Sequence, residues 1–331
     1  MRQLQKVSIF SGGTMRWTYG IINGMTFRSD AEFNNTRARS GGGGRRGGTI
    51  AAGGGLGTLV LIGLFLIMGG NPSDLDQYFG TENDQGQIAQ EENGTDANGN
   101  PTGELAHCQT AEDGNKYDDC RIMYAAQSID RVWADQLPKQ AGLEYTEPGM
   151  VIFHGATTSG CGQASAATGP FYCPSDQTAY FDTAFFDQLT QFGAENAPLT
   201  QMYIVAHEFG HHIQNLEGTL GLSNYNQPGE DSNAVKIELQ ADCYAGIWAN
   251  YADDNTNMGL QEISKQQLEN AVTAAAAVGD DNIQQRSGGQ VRPDQWTHGS
   301  SEMRSKAFLA GYQSGEMARC DYLEPVSYTH L

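Results

Sequence analysis

The sequence predicts an α+β protein, mostly helical with a small β-sheet, preceded by one transmembrane helix. Three observations predict it. Apolar residues recur at helical spacing through most of the second half, two short β-type runs flank a cysteine-bracketed loop, and one long uncharged apolar stretch lies near the amino end. With 331 residues and 39% hydrophobic content, the chain has room for one sizeable domain plus extra segments.

The apolar stretch sits in an uncharged run over 47–73, with LGTLVLIGLFLIM at 56–68 as its heart. Taken as 49–70 it has about the length of a helix that crosses a bilayer. A cleaved signal peptide is the competing reading, but no small-residue cleavage pattern follows Met68 and the leader before it is long. Arg37, Arg39, Arg45 and Arg46 crowd its amino side. By the positive-inside rule, residues 1–48 then form a basic, disordered cytoplasmic tail, and the domain beyond residue 70 is extracytoplasmic on a single-pass protein of the cell membrane. Residues 1–24 carry no interpretable pattern, which suits a natural start at Met25.

Charge follows the same division. Residues 1–70 hold eight Lys or Arg against two acids, a net of +6, so the rest carries −26 of the overall −20. So acidic a chain repels a phosphate backbone, which excludes nucleic acid as a partner. The partners expected are a peptide or protein substrate and, through the apolar helix, the lipid bilayer.

From 71 to 105 the chain is rich in Asn, Gln, Gly, Asp and Glu and reads as a flexible acidic linker. The folded domain is expected over 106–323. Residues 324–331, ending in VSYTHL, resemble a read-through tail, and His330 is discounted with them.

Within the domain, Ile122, Ala125, Ile129, Val132 and Trp133 give a helix over 118–137, which Pro138 should stop. The runs 150–153 and 178–181 are strands of a small sheet. Helical periodicity then covers 199–216, 234–251, 265–278 and 301–312, with Ser264 and Gln267 forming a capping box before the third of these.

All six cysteines lie beyond the apolar stretch, and an even count in an oxidising compartment suggests disulfides. Cys161 and Cys173 bracket a Gly-rich loop, Cys108 and Cys120 bracket another, and Cys243 with Cys320 remain. Six cysteines permit fifteen connectivities, so sequence leaves the pairing open. A cysteine metal site is disfavoured because no C-x-x-C spacing occurs.

The chemistry concentrates in His207-Glu208-Phe209-Gly210-His211. Residues four apart share one helix face, so both imidazoles can point at one ion, while Glu208 lies about 100° round, placed to face a water beside that ion. Two imidazoles leave a catalytic zinc one ligand short. Glu238 is expected to supply it, with Asp242 one turn on accepting a hydrogen bond from the far nitrogen of a ligating histidine. Both acids sit in the apolar run around Ala241, Cys243, Ala245, Ile247 and Trp248, where unpaired charge would be costly.

With these residues in view, the chain resembles the bacterial putative neutral zinc metallopeptidase family, of the wider gluzincin type. The stretches that carry the resemblance are GCGQASAATGPFYCP, VAHEFGHHIQ, ELQADCYAG and GDDNIQQRSGGQVRPDQWTHGSS, spanning about 150–320. The resemblance implies a zincin-like domain holding one zinc ion on His207, His211 and Glu238, with Glu208 as base and Asp242 behind the ligands. Cysteines matching 161, 173, 243 and 320 also occur in the family, whereas Cys108 and Cys120 depart from its common pattern.

His298, in a segment the family shares, is the expected donor to the tetrahedral oxyanion, with a structural histidine capping the following helix as the competing reading. Tyr225 and Tyr244 are alternative donors, and Arg304 either binds a substrate carbonyl or pairs with an acid. His212 points away from His211, and His107 and His154 have no metal-type partner at useful spacing in the sequence.

The function expected is hydrolysis of peptide bonds by a zinc-dependent peptidase, with Glu208 as general base and the substrate paired to a sheet edge near 150–153 or 178–181. The alternative is a membrane-anchored zinc-binding scaffold or an inactive homologue acting as a binding module. An intramembrane protease is excluded because Gln201, His207, Glu208, His211, His212 and Gln214 make the motif helix too polar for lipid.

Overall fold

The computed structural model describes residues 7–9, 16–18, 26–41, 103–165, 168–253 and 255–323. A two-stranded antiparallel ladder, β1 (Val7–Ile9) with β2 (Arg16–Thr18), comes first, followed by the short β3 (Arg39–Gly41). Helix α1 (Ala111–Lys116) opens with Thr110 and Asp113 as a capping box. Helix α2 (Asp118–Ala141) then buries Ile122, Ala125, Ile129, Val132 and Trp133.

Pro138 does not end α2, contrary to the sequence expectation. The helix runs on to Ala141 and stops at Gly142, whose left-handed backbone (φ 69°) lets its N–H donate to the Pro138 carbonyl. A proline removes one backbone bond, and the buried face already holds the preceding turns.

The strands β4 (Gly149–Phe153), β5 (Ala156–Ser159), β6 (Gly162–Ser165), β7 (Phe171–Cys173) and β8 (Thr178–Asp182) follow. The main sheet has the order β3-β4-β8-β7, with β3, β4 and β8 parallel and β7 antiparallel to β8. Alternation divides its side chains: Met150, Ile152, Ala179 and Phe181 join the helical core, while Val151, Phe153 and Tyr180 form a second cluster with Ala164 of the β5–β6 hairpin. Strand β8 is thus buried on both faces.

Two single-turn helices, α3 (Thr183–Phe186) and α4 (Leu189–Phe192), lead to α5 (Pro198–Glu217), α6 (Asn233–Ala252), α7 (Lys265–Ala277), α8 (Asp280–Arg286) and α9 (Ser301–Ser314). Their starts follow local chemistry. Pro198 opens α5, Ser232 and Ser300 cap α6 and α9, and Ser264 with Gln267 boxes α7. Helices α6 and α9 cross in close contact. A Cβ on Gly246 would overlap the Phe308 carbonyl, and one on Gly311 the Cys243 carbonyl.

The amino-terminal expectations require correction. The sequence places 26–41 in a disordered tail across a membrane from the domain, but these residues pack on the domain. Phe27 is fully buried and bridges Leu260, and the Thr26 and Phe27 amides donate to Asn115 Oδ1 at 2.8 and 2.9 Å. Arg37 pairs with Asp130 at 2.6 Å, and β3 adds to β4. Residues on both sides of the apolar stretch therefore belong to one folded body, which a single bilayer crossing between them would separate. Among the described residues no helix is long and apolar enough to cross a membrane. The transmembrane helix and the cell-membrane localisation are accordingly not supported. Residues 49–70 themselves, most of the expected linker and 324–331 lie outside the described residues.

Candidate metal centre

Helix α5 presents His207 and His211 one turn apart, with ring centroids 4.8 Å from each other. Gly210 lies between them in the sequence and faces α6. A Cβ there would stand 2.9 Å from both the Cα and the carbonyl oxygen of Ala241, so only glycine lets the helices approach this closely. The approach brings Glu238 of α6 to the histidine pair. Its Oε2 lies 3.2 Å from His207 Nε2 and its Oε1 3.6 Å from His211 Nε2. One ligand atom from each of the three lies within 4.8 Å of the others.

The donor set fits zinc. Nitrogen and oxygen atoms on a tetrahedral zinc stand about 3.4 Å apart, from usual bond lengths of about 2.0–2.2 Å. Both rings are also turned the right way. His207 Nδ1 meets Asp242 Oδ1 at 2.8 Å and His211 Nδ1 meets Gln214 Oε1 at 2.8 Å, so an acceptor holds each Nδ1 proton and both Nε2 atoms face Glu238, where an ion would replace any proton they carry. Gln214 is held in turn by the Ile237 carbonyl at 2.7 Å and by Gln240 at 3.0 Å.

Behind the three residues lies a buried charge network. Asp242 accepts from Tyr203 Oη at 2.5 Å and from Arg304 Nε and a terminal nitrogen at 2.7 and 3.0 Å. Burial opposes ionisation of Asp242, yet Arg304 and His207 hold its pKa below the usual carboxylate range. Burial likewise opposes the charge on Glu238, and His211, His298 and His207 overcome it, leaving the carboxyl well below its ordinary value. For His207 burial works against the imidazolium, but Asp242 and Glu238 raise it to about 10 in the metal-free protein. A dication is a natural counter-charge to these carboxylates.

Glu208 behaves differently. Burial raises its pKa, partly offset by His207, His211 and a backbone hydrogen bond from Tyr172 of β7. It is 7% exposed and stands against the edge strand of the sheet.

His298 reaches the same region from the loop between α8 and α9. Its Nδ1 lies 3.2 Å from Asp280 Oδ1, and Asp280 Oδ2 accepts the amides of Thr297, His298 and Gly299 at 2.8, 2.7 and 3.0 Å. Its Nε2 is buried with no hydrogen-bond partner among the described residues. Ser300, not His298, caps α9, so the capping explanation for this histidine falls away. Tyr225 Oη donates to Glu238 Oε1 at 3.2 Å. Tyr244 instead turns to Glu217, at 2.9 and 3.0 Å, and Arg304 pairs with Asp242. His212 is buried between Tyr172 Oη and the Thr146 carbonyl, and His154 bonds Thr183.

Sequence reasoning missed Tyr203, Gln214, Gly210 and Asp280. Tyr203 stands four before His207 and Gln214 three after His211, so helical spacing offered a signal for both. Asp280 offered none, being 18 residues from His298 in a loop-crossing contact.

The cysteines are bonded as Cys108–Cys120, Cys161–Cys173 and Cys243–Cys320, with Cα separations of 5.2, 5.8 and 5.5 Å. The second ties the β5–β6 turn to β7, within the cluster on the sheet face away from the helical core. The third joins α6 to the segment after α9.

Two crossing helices thus bring a histidine pair and a carboxylate together as a candidate metal centre of the kind metal-dependent proteins use. Residues 25–323 match the family described as "Putative neutral zinc metallopeptidase", and the chain belongs to that family. It is 47% identical over 227 residues to the uncharacterized protein Rv2575 of Mycobacterium tuberculosis, covering 67% of this chain and 76% of that one. The same figures hold for the uncharacterized protein Mb2605 of Mycobacterium bovis. The uncharacterized protein YpfJ of Escherichia coli is 39% identical over 197 residues, 57% of this chain and 66% of its own. No solved structure matches the chain.

Proposed function

We propose that the chain is a zinc-dependent peptidase in which His207, His211 and Glu238 hold the ion and Glu208 is the general base. The observation that carries this reading is the convergence of two Nε2 atoms and a carboxylate on one point while acceptors hold both Nδ1 atoms. A zinc ion bound there would supply Lewis acidity toward a peptide carbonyl and lower the pKa of a water.

The chain's own residues do the rest. Glu208, whose pKa burial raises, is the carboxylate that would take a proton from water and return it to a leaving amine. His298, whose burial disfavours charge but whose Asp280 and Glu238 neighbours raise its pKa, has an unpartnered Nε2 to donate to the oxyanion. Asp242 and Arg304 orient His207 and exclude water from behind it.

The substrate position differs from the sequence expectation. β4 and β8 are the two inner strands, paired on both sides, whereas β7 ends the sheet. Since the Tyr172 backbone in β7 reaches Glu208, an extended peptide added along β7 would pass the base.

The test is Glu208→Gln in the purified protein. It should keep one zinc per chain by elemental analysis and lose peptide cleavage by about 10²-fold or more. Retained cleavage would remove Glu208 from the reaction, and an inactive wild type that still binds zinc would favour the zinc-binding module.

A further inference from the structure

Outside the site above, the dipeptides His107-Cys108 and Asp119-Cys120 meet at the amino end of α2. One ligand atom from each of these four residues lies within 4.8 Å of the others. His107 Nε2 stands 3.2 Å from Asp119 Oδ2 and 3.7 Å from Cys108 Sγ. Around a tetrahedral zinc, the usual bond lengths put a nitrogen about 3.4 Å from an oxygen and about 3.6 Å from a sulfur. Two edges of such a tetrahedron are thus already present.

His107 is also oriented as a ligand. Its Nδ1 meets the Glu104 carbonyl at 3.0 Å, which places the proton there and turns the Nε2 lone pair of a neutral ring toward Asp119 and the sulfurs. The sulfurs are buried, but the His107 and Asp119 side chains are 41% and 24% exposed, so an ion has a way in from solvent. The obstacle is the Cys108–Cys120 bond itself, because thiolates and not disulfide sulfurs bind metal. The Cα atoms are 5.2 Å apart, so the two sulfurs, once freed, still face a common ion.

We propose that Cys108, Cys120, His107 and Asp119 form a redox-gated metal site, closed as a disulfide and opened by reduction to hold a zinc-class divalent ion. A dithiol reductant gives two electrons and two protons to the S–S bond, becoming a cyclic disulfide and leaving two thiols. The ion then displaces both thiol protons to solvent and takes two thiolates, one imidazole nitrogen and one carboxylate oxygen. The sequence disfavours a cysteine metal site because no C-x-x-C occurs, but here each cysteine carries a neighbouring ligand and the fold supplies the convergence.

The full chain is titrated with cobalt(II) before and after dithiol reduction, with free thiols counted by labelling. Reduction should add one cobalt per chain and a thiolate-to-cobalt charge-transfer band in the near ultraviolet, lost on reoxidation. The His207, His211 and Glu238 set has no sulfur and cannot give that band, so the result is independent of the peptidase reading. His107→Ala and Asp119→Asn should each weaken the added site by about tenfold or more, in the range seen when metal-site groups are removed. Cys108→Ser with Cys120→Ser should abolish it. If the reduced chain unfolds and zinc restores its circular dichroism, the proposal is supported; if zinc does not, it fails. It fails equally if the thiols at 108 and 120 are free and no band forms, or if the band survives in the double serine variant.

Discussion

Asp242 Oδ1 lies 2.8 Å from His207 Nδ1, while the other carboxylate oxygen takes Arg304 Nε at 2.7 Å. One fully buried carboxylate therefore orients a metal-facing ring and neutralises a buried cation at once. Asp242→Asn keeps the shape but removes the charge. We expect zinc affinity, read by chelator competition, to fall about 10–100-fold. Stability in urea should fall by about 3–5 kcal/mol because Arg304 is left uncompensated. Unchanged affinity would mean that Asp242 does not position the ring.

Gly210 against Ala241 yields a second expectation. In Gly210→Ala the added methyl must push α5 from α6, since backbone rather than a flexible side chain stands 2.9 Å away. The overpacking should cost about 1–3 kcal/mol in denaturant unfolding and weaken zinc binding, because Glu238 moves with α6. A variant with wild-type stability and affinity would show that the helices adjust freely there.

Glu217 predicts a pH dependence. Burial raises its pKa to about 7, against a lowering hydrogen bond from Tyr244. An acid whose folded pKa lies above its unfolded value binds more protons when folded, so its contribution to stability falls as pH rises from about 4.5 to about 7. Glu217→Gln should flatten that part of the decline in Tm between pH 4.5 and 7.5. If the wild type and the variant lose the same Tm across this range, the assignment is wrong.

The Cys243–Cys320 bond closes a separation of 77 residues across the α6–α9 contact. Replacing both residues by serine should lower stability by about 3–5 kcal/mol, measured by thermal unfolding at fixed zinc. A loss under about 1 kcal/mol would show that the Gly246 and Gly311 contact alone secures the crossing.

How much of this was legible before the structure depends on the range of the interaction. Helices α5, α6, α7 and α9 carry their own periodicity and caps, so their expected spans of 199–216, 234–251, 265–278 and 301–312 differ from the observed ones by at most two residues at either end. His207, Glu208 and His211 share one turn of helix, and Glu238 with Asp242 another inside an apolar run, so spacing together with that apolar setting points to them. What lay beyond reach is nonlocal. Residues 26–41 have no periodic apolar face, and their docking depends on Asn115, Gln127 and Asp130 some 90 residues away. Their basic, Gly-flanked composition beside an apolar run imitates the cytoplasmic flank of a membrane anchor. Arg304 could be read as pairing with an acid or binding substrate, and only the packing of α9 on α6 chooses Asp242. Of the side chains that converge with His107 only Cys108 adjoins it in sequence, and ten residues of chain lie between the two dipeptides.

The most direct test of the metal centre is anomalous X-ray scattering across the zinc absorption edge from crystals of the oxidised protein prepared with zinc. The account predicts one strong peak about 2.0–2.2 Å from His207 Nε2, His211 Nε2 and a Glu238 carboxylate oxygen, with a coordination position left open beside Glu208. A peak elsewhere, or a Glu238 side chain turned from the histidines with a fourth protein ligand in the open position, would contradict it.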